Sequence, residues 1–100
     1  MNPERVEEKL AEVLRKIQTD GGYHDADLIS GQIVPLDELE GFDSKLALVS
    51  IKRLARSLGI NIPKDKNIFR EGGRSRGRKL SIHEIAIVVA KMAVHQVEET

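Results

Sequence analysis

The chain has 100 residues, no cysteine, and 16 basic and 16 acidic side chains that give a formal net charge of zero. A chain of this length can bury enough surface for one small core, so we expect a single domain over residues 1–100. The lack of cysteine excludes disulfides and thiolate metal sites, and the balanced charge argues against a general attraction to nucleic acid or membranes. No apolar run is long enough to span a membrane, and residues 1–5 lack a signal peptide's apolar stretch. We therefore expect a soluble, cytoplasmic protein.

The first predicted helix covers about residues 3–18. Asn2 can cap it, Pro3 suits its first position, and two successive glycines end it. Its apolar residues recur at helical spacing: Val6, Leu10, Val13, Leu14 and Ile17. Residues 21–43 then form a long connection without a sustained period. Because this connection contains too much apolar surface to stay in solvent, we expect it to pack across the helices.

The second predicted helix covers residues 44–58. One of its sides carries the apolar residues that we expect in the core: Ala47, Leu48, Ile51, Leu54, Ala55 and Leu58. The other side is basic, and it carries Lys45, Leu46, Val49, Lys52, Arg53 and Arg56. Gly59 suits the left-handed position after the last turn, and Pro63 prevents the helix from resuming.

Residues 70–79 are predicted to form a flexible loop, because they are polar, glycine-rich and basic, with no apolar side chain to bury. A short third turn is expected just before this loop, at residues 67–69. The last helix is predicted to begin at Ser81, where Glu84 completes a capping box, and to continue to about residue 96. Three main helices plus one short helix, joined by long loops, predict an all-α four-helix bundle.

The helix at 44–58 is preceded by Gly41-Phe42-Asp43-Ser44 and ended by Leu58-Gly59-Ile60-Asn61-Ile62-Pro63. Together these segments resemble a divergent member of the acyl carrier protein family, a resemblance that extends over almost the whole chain. In that family an Asp-Ser-Leu motif carries 4′-phosphopantetheine on its serine, and the next helix closes with Gly-Ile-x-Ile-Pro. This chain departs from the family in three ways. Lys45 stands in place of the leucine, the loop at 70–79 is longer, and the net charge is balanced instead of acidic.

The resemblance implies a carrier that catalyses nothing itself. A phosphopantetheinyl transferase would move 4′-phosphopantetheine from coenzyme A to the Ser44 oxygen, with Asp43 as part of the motif. The thiol of that arm would hold acyl groups as thioesters for acyl-loading and acyl-transfer enzymes of lipid or polyketide biosynthesis. The helix start at Ser44 favours such a phosphate ester, because unpaired N–H groups and the positive end of the helix dipole lie there. We expect a monomer.

The basic side of the helix at 44–58 adjoins Ser44, so an enzyme that reaches the arm would approach across it. We interpret this side as a surface for partner enzymes with acidic docking surfaces, formed by Lys45, Leu46, Val49, Lys52, Arg53 and Arg56. The charge of this surface is the reverse of what is usual in the resembling family. The alternative is a solvated basic face without a partner.

Other interpretations of these segments remain open. Ser44 could simply cap its helix, as serines often do. A small nucleic-acid-binding or protein-docking module is the alternative function, using the basic side of the helix and the basic loop residues Arg70, Arg74, Arg76, Arg78 and Lys79. The lack of an aromatic residue for base stacking in that loop argues against nucleic acid. The segment His24-Asp25-Ala26-Asp27 offers metal ligands but no convergent fourth ligand, so we predict no metal site.

Overall fold

The structure, a computed structural model, describes residues 1–63, 66–74 and 76–98, with side chains as far as residue 93. In this part of the chain the protein is all-α, with three main helices and one short helix, which confirms the predicted fold class. These are α1 at Pro3–Asp20, α2 at Pro35–Glu38, α3 at Ser44–Leu58 and α4 at Ile82–Glu98. Single turns of 3-10 helix lie at Ala26–Leu28 and Glu71–Gly73. The short α-helix lies in the first connection, whereas residues 67–69 form only a turn.

The ends of α1 follow from its capping residues. Asn2 Oδ1 accepts a hydrogen bond from Glu4 N at 2.9 Å, and Pro3 occupies the start of the helix, where its missing N–H costs nothing. Gly21 caps the other end, and Gly22 follows with a φ of 81°. The predicted cap and glycine stop are thereby confirmed. Because α1 packs against both α3 and α4, it forms the centre of the bundle.

One continuous core fills the space between the helices. Its largest fully buried apolar side chains are Phe69, Leu10, Leu14, Leu54, Ile68, Ile82, Ile85, Val6 and Val89. These residues come from α1, α3, α4 and the segment before α4, so the core holds all three main helices together. Within the described ranges, no helix combines the length and apolarity needed to cross a bilayer.

The connection at residues 21–43 packs across the bundle, as the sequence predicts. Its backbone carbonyls at Ile33 and Gly31 accept hydrogen bonds from Ile82 N at 2.9 Å and His83 N at 2.8 Å. The first amides of a helix have no partner inside the helix, so these carbonyls satisfy donors that α4 leaves open. The connection is therefore a structural part of the bundle.

The buried side of α3 differs from the prediction at two positions. Ser50 is fully buried, and its hydroxyl donates to the Leu46 carbonyl at 2.8 Å, so the helix itself supplies the partner that a buried hydroxyl needs. Leu48, which the sequence places in the core, is 41% exposed. The buried side of α3 is rotated about the helix axis relative to the predicted side. It is centred on Ala47, Ser50 and Leu54, so Leu48 lies at its edge.

The end of α3 confirms the predicted glycine stop. Gly59 has a φ of 69°, and its N–H donates to the Arg56 carbonyl at 3.3 Å. The next amide, Ile60 N, reaches back to the Ala55 carbonyl at 3.0 Å. This pair of bonds closes the helix by a Schellman motif, which requires the left-handed conformation that glycine adopts without strain.

Residues 70–79, which the sequence predicts as a flexible loop, pair with each other where the loop begins and ends. Arg70 and Lys79 form an isolated antiparallel bridge, and Glu71 N donates to the Arg78 carbonyl at 2.8 Å. The described residues of this segment, 70–74 and 76–79, are called the hairpin below. The segment has no apolar side chain to bury, but hydrogen bonds between its own backbone groups constrain the ends of the loop. The mobility of the hairpin stays a prediction.

Candidate functional site

Ser44 is the first residue of α3, and Asp43 caps the helix. Asp43 Oδ1 accepts a hydrogen bond from Leu46 N at 3.0 Å. The interpretation of Ser44 as the cap is therefore wrong, because the neighbouring carboxylate fills that role. The Ser44 side chain is exposed, and its hydroxyl has no hydrogen-bond partner among the residues that the structure describes. The motif thus presents an unengaged hydroxyl at a helix start.

Two aromatic contacts set the path of the chain just before the serine. Phe42 is buried, and the centroid of its ring lies 5.5 Å from that of Phe69. Gly41 has a φ of 67°, and a Cβ at this position would overlap the hydroxyl of Tyr23. Only glycine combines that backbone conformation with so close an approach. Ser44 therefore follows a turn that packing holds in place.

A buried amide on α1 ties the same turn to the core. Gln18 is fully buried, and its Nε2 donates to the Glu40 carbonyl at 2.8 Å and to Asp25 Oδ1 at 3.0 Å. The Asp25 carboxylate also accepts from Glu40 N at 2.7 Å. Burial raises the pKa of Asp25, but the hydrogen bonds from Glu40 N and the Gln18 amide outweigh burial and hold that pKa below its usual value. The charged form of Asp25 is thus the one that the turn needs.

This network also gives Asp25 a structural role. The segment His24-Asp25-Ala26-Asp27 contains side chains that could bind a metal. Its Asp25 carboxylate instead accepts hydrogen bonds from Gln18 and from the backbone of the turn before Ser44. Within the described part of the chain, no group of three or more His, Asp or Glu side chains could hold a metal ion. The network was not foreseen from the sequence, because its three residues carry no spacing that marks them as neighbours.

A shallow pocket of about 350 Å³ opens beside Ser44. Its lining consists of Ser44, Lys45, Ala47, Leu48, Ile51, Lys66 and Asn67. The apolar side chains come from α3, whereas Lys66 and Asn67 come from the segment that follows Pro63. Two cationic side chains therefore line the same pocket as the exposed hydroxyl, and none of its described lining residues is acidic. Lys66 had no signal in the sequence, because its approach to Ser44 depends on the path of the chain after α3.

The exposed side of α3 contains most of the predicted partner surface. Lys45, Val49, Lys52, Arg53 and Arg56 are all exposed. Leu46 lies apart from them, because it is half-buried and packs against the core. Leu48 is instead exposed next to Val49, which is 37% exposed. The surface called the basic face of α3 below therefore consists of Lys45, Leu48, Val49, Lys52, Arg53 and Arg56.

No cation of the basic face pairs with a carboxylate among the described residues. Two basic residues of the hairpin, by contrast, pair with carboxylates. Arg78 Nη2 lies 2.7 Å from Glu84 Oε2, and Lys79 Nζ lies 2.6 Å from Asp37 Oδ1. Because these cations are paired with carboxylates, the hairpin has fewer free positive charges to bind a nucleic-acid phosphate backbone than its sequence suggests. This weakens the alternative that the protein binds nucleic acid.

The start of α4 confirms the predicted capping box. Ser81 N donates to Glu84 Oε1 at 3.0 Å, and Glu84 N donates to Ser81 Oγ at 3.2 Å. The hydrogen bond from Arg78, with that from Ser81 N, lowers the pKa of Glu84 to about 2. Glu84 in turn raises the pKa of Arg78 through its hydrogen bond and its charge. One carboxylate thus joins the hairpin to the helix start.

Comparison with protein-family models, with curated proteins and with solved structures finds no match for this chain. The likeness to acyl carrier proteins therefore rests on the motif, the helix boundaries and the surroundings of Ser44.

Proposed function

We propose that this protein is an acyl carrier whose Ser44 holds a 4′-phosphopantetheine arm. The observation that carries the proposal is the exposed Ser44 hydroxyl, which has no partner among the described residues and stands at the start of a helix that Asp43 caps. The two motif residues have different roles: the Asp43 carboxylate caps the start of α3, and the Ser44 hydroxyl stays available for modification. The arm would supply a thiol that the chain itself lacks, since it contains no cysteine.

The surroundings of Ser44 fit a phosphodiester. The first amides of a helix lack partners inside the helix and lie at the positive end of its dipole, which favours an anion there by about 0.3–1 kcal/mol. Lys45 and Lys66 line the pocket that Ser44 opens into and add two positive charges. Where the resembling family has leucine, Lys45 therefore provides a charge that complements a phosphate group.

Intact-mass measurement tests the proposal. Incubation of the wild type with coenzyme A and phosphopantetheinyl transferases of different specificity should add the mass of one prosthetic group. The Ser44→Ala variant should gain none. Ser57→Ala is the matched control, because Ser57 is an exposed serine of the same helix, and it should be modified like the wild type. A wild type that stays unmodified with every transferase would refute the proposal.

We also propose that the enzymes serving this arm, the transferase and the acyl-loading and acyl-transfer enzymes, meet the basic face of α3 with acidic surfaces. Its unpaired cations would attract acidic side chains during encounter, and Leu48 and Val49 would supply the apolar contact at the centre of the interface. Enzymes that recognise acidic carriers through basic patches would be repelled, because like charges that face each other penalise the wrong partner.

A further inference from the structure

A second pocket lies between the hairpin and α4, next to the pocket at Ser44. It has a volume of about 230 Å³ and is lined by Lys66, Ile68, Arg70, Gly72, Gly73, Val88 and Met92. Lys66 lines both pockets, so they meet at its side chain. We call this second space the hairpin pocket. It exists because the chain at 70–79 is longer than the resembling family's link and folds back on itself instead of remaining an open loop.

The chemistry of the hairpin pocket is divided between an apolar base and a cationic rim. Ile68 is buried and forms part of the pocket wall, whereas Val88 and Met92 are only half-buried against the core and offer the more accessible apolar contact. Two glycines form part of the wall, and a Cβ on Gly73 would come within 3.3 Å of the Lys66 side chain. The absence of a side chain at Gly73 therefore leaves room beside Lys66.

The rim carries two cations, from Lys66 and Arg70. The Arg70 guanidinium donates one hydrogen bond, from Nη1 to the Gly77 carbonyl at 3.0 Å, which holds its head group in place and leaves further N–H donors. Among the described residues, neither cation pairs with a carboxylate, and no lining residue is acidic. A cationic rim around apolar walls favours a ligand with a short apolar body and an anionic end.

We propose that the acyl group carried on Ser44 ends in a carboxylate, with its methylene chain on Ile68, Val88 and Met92 and its charged end at Arg70 and Lys66. This inference rests on the proposed carrier function. The hairpin pocket is smaller than the pocket at Ser44, about 230 Å³ against about 350 Å³, which favours a short cargo. Cargo of this class comes from reactions that activate a short dicarboxylic acid at one end, and partner enzymes would have to tolerate its free carboxylate.

The test attaches the arm chemically, so that it does not depend on any transferase. Because the chain has no cysteine, Ser44→Cys provides its only thiol, which can be alkylated with pantetheine-like arms. One arm ends in a hexanoyl amide and the other in an adipoyl amide of the same length with a free carboxylate. The readout is the ¹³C-methyl spectrum of methionine, since the chain has two methionines: Met92 lines the hairpin pocket, and Met1 is an internal reference.

The adipoyl arm should shift the Met92 methyl resonance more than the hexanoyl arm does, and Met1 should not move. Lys66→Gln and Arg70→Gln should each lower the equilibrium constant for binding of the adipoyl arm in the pocket by about two- to fivefold. Arg5→Gln, which removes a positive charge from the exposed side of α1 outside the pocket, should have no effect. Titration of the wild type with free N-adipoyl pantetheine should give the same direction of shift at Met92.

Equal shifts from the two arms, or no shift from either, would overturn the inference. A wild type that no transferase modifies would refute the carrier function while leaving the preference of the hairpin pocket measurable on the alkylated Ser44→Cys protein. Conversely, a wild type that is modified at Ser44 but whose pocket does not distinguish the two arms would retain the carrier function and lose the proposed cargo.

Discussion

Gly41→Ala should destabilise the protein more than the same change at other glycines of equal backbone conformation. Gly41, Gly22 and Gly59 have φ values of 67°, 81° and 69°, so an alanine is strained at each of them. Among the described residues, a Cβ on Gly22 or Gly59 would meet no atom within 4 Å, whereas a Cβ on Gly41 would overlap the Tyr23 side chain. The two other glycines therefore isolate the cost of the backbone conformation.

The magnitude follows from these two contributions. An alanine in the left-handed region costs about 1–2 kcal/mol, and the lower entropy of its unfolded chain returns about 0.4–1 kcal/mol, so Gly22→Ala and Gly59→Ala should each lose about 0–1.6 kcal/mol. Displacing the Tyr23 ring should add about 1–3 kcal/mol, which is typical of forced overpacking. We therefore expect Gly41→Ala to lower the free energy of unfolding by about 1–4.6 kcal/mol, which at its upper end is a large part of the stability of a small domain.

Urea denaturation followed by circular dichroism measures these differences. In a Tyr23→Ala background the additional cost of Gly41→Ala should largely disappear, because the side chain that it displaces is gone. The displaced turn should also slow modification of Ser44, although Gly41 does not belong to the motif. Two outcomes would show that the packing of Tyr23 over this turn does not restrict position 41 to glycine. One is that Gly41→Ala is no more destabilising than Gly59→Ala, and the other is that Tyr23→Ala does not reduce the destabilisation caused by Gly41→Ala.

Three further predictions concern the cap, the basic face and the hairpin. Asp43→Ala should lose about 1 kcal/mol in urea denaturation while Asp43→Asn keeps most of that stability, because an amide oxygen can still accept from Leu46 N; equal losses would argue against side-chain capping. The triple change Lys52→Glu, Arg53→Glu, Arg56→Glu should, at low salt, raise the rate of modification by transferases with basic patches and lower the rate with enzymes that have acidic surfaces. Unchanged rates with both kinds of enzyme would exclude the basic face of α3 as the docking surface. The pKa of Glu84 is lowered to about 2 from 4.5, so the charged carboxylate stabilises the fold fully above pH 4.5, and this stabilisation is lost as the pH falls from 4.5 to about 2. The free energy of unfolding of the wild type should therefore fall more over this pH range than that of Glu84→Gln. Equal losses in the two proteins would contradict the pairing of Glu84 with Arg78.

The parts of the fold that the sequence predicts are those with local causes. The bounds of α3 at Ser44–Leu58 follow from a capping carboxylate at one end and a left-handed glycine at the other, both readable within a few residues. The capping box at Ser81 is local in the same way. Features that depend on tertiary contact were not predictable, and the pairing of Arg70 with Lys79 is the clearest, since neither residue type marks a strand.

The same division applies to the site. Ser44, Asp43 and the exposed cations of α3 were found from the sequence, because they belong to one helix and its entry. Leu48 was misplaced, since a helical wheel does not say which of two border residues the neighbouring helices will cover. Lys66 and Gln18 reach the surroundings of Ser44 from other segments, across a pocket and through the core, respectively. Their part in the site depends on the fold and not on any local pattern.

The net charge of zero conceals a separation of charge along the chain, and Ser44 lies at the boundary. Residues 21–43 contain Asp and Glu but no Lys or Arg, whereas α3 contains Lys and Arg but no Asp or Glu. The last acidic residue of the first stretch is Asp43, and the first cation of the second is Lys45. A neutral protein with this distribution is not attracted to a charged partner as a whole, but it is oriented by one, because each end of the distribution responds oppositely to the same field. An acidic surface on the proposed partner enzymes would therefore attract α3 before contact, and the proposed arm on Ser44 would lie at the edge of that contact.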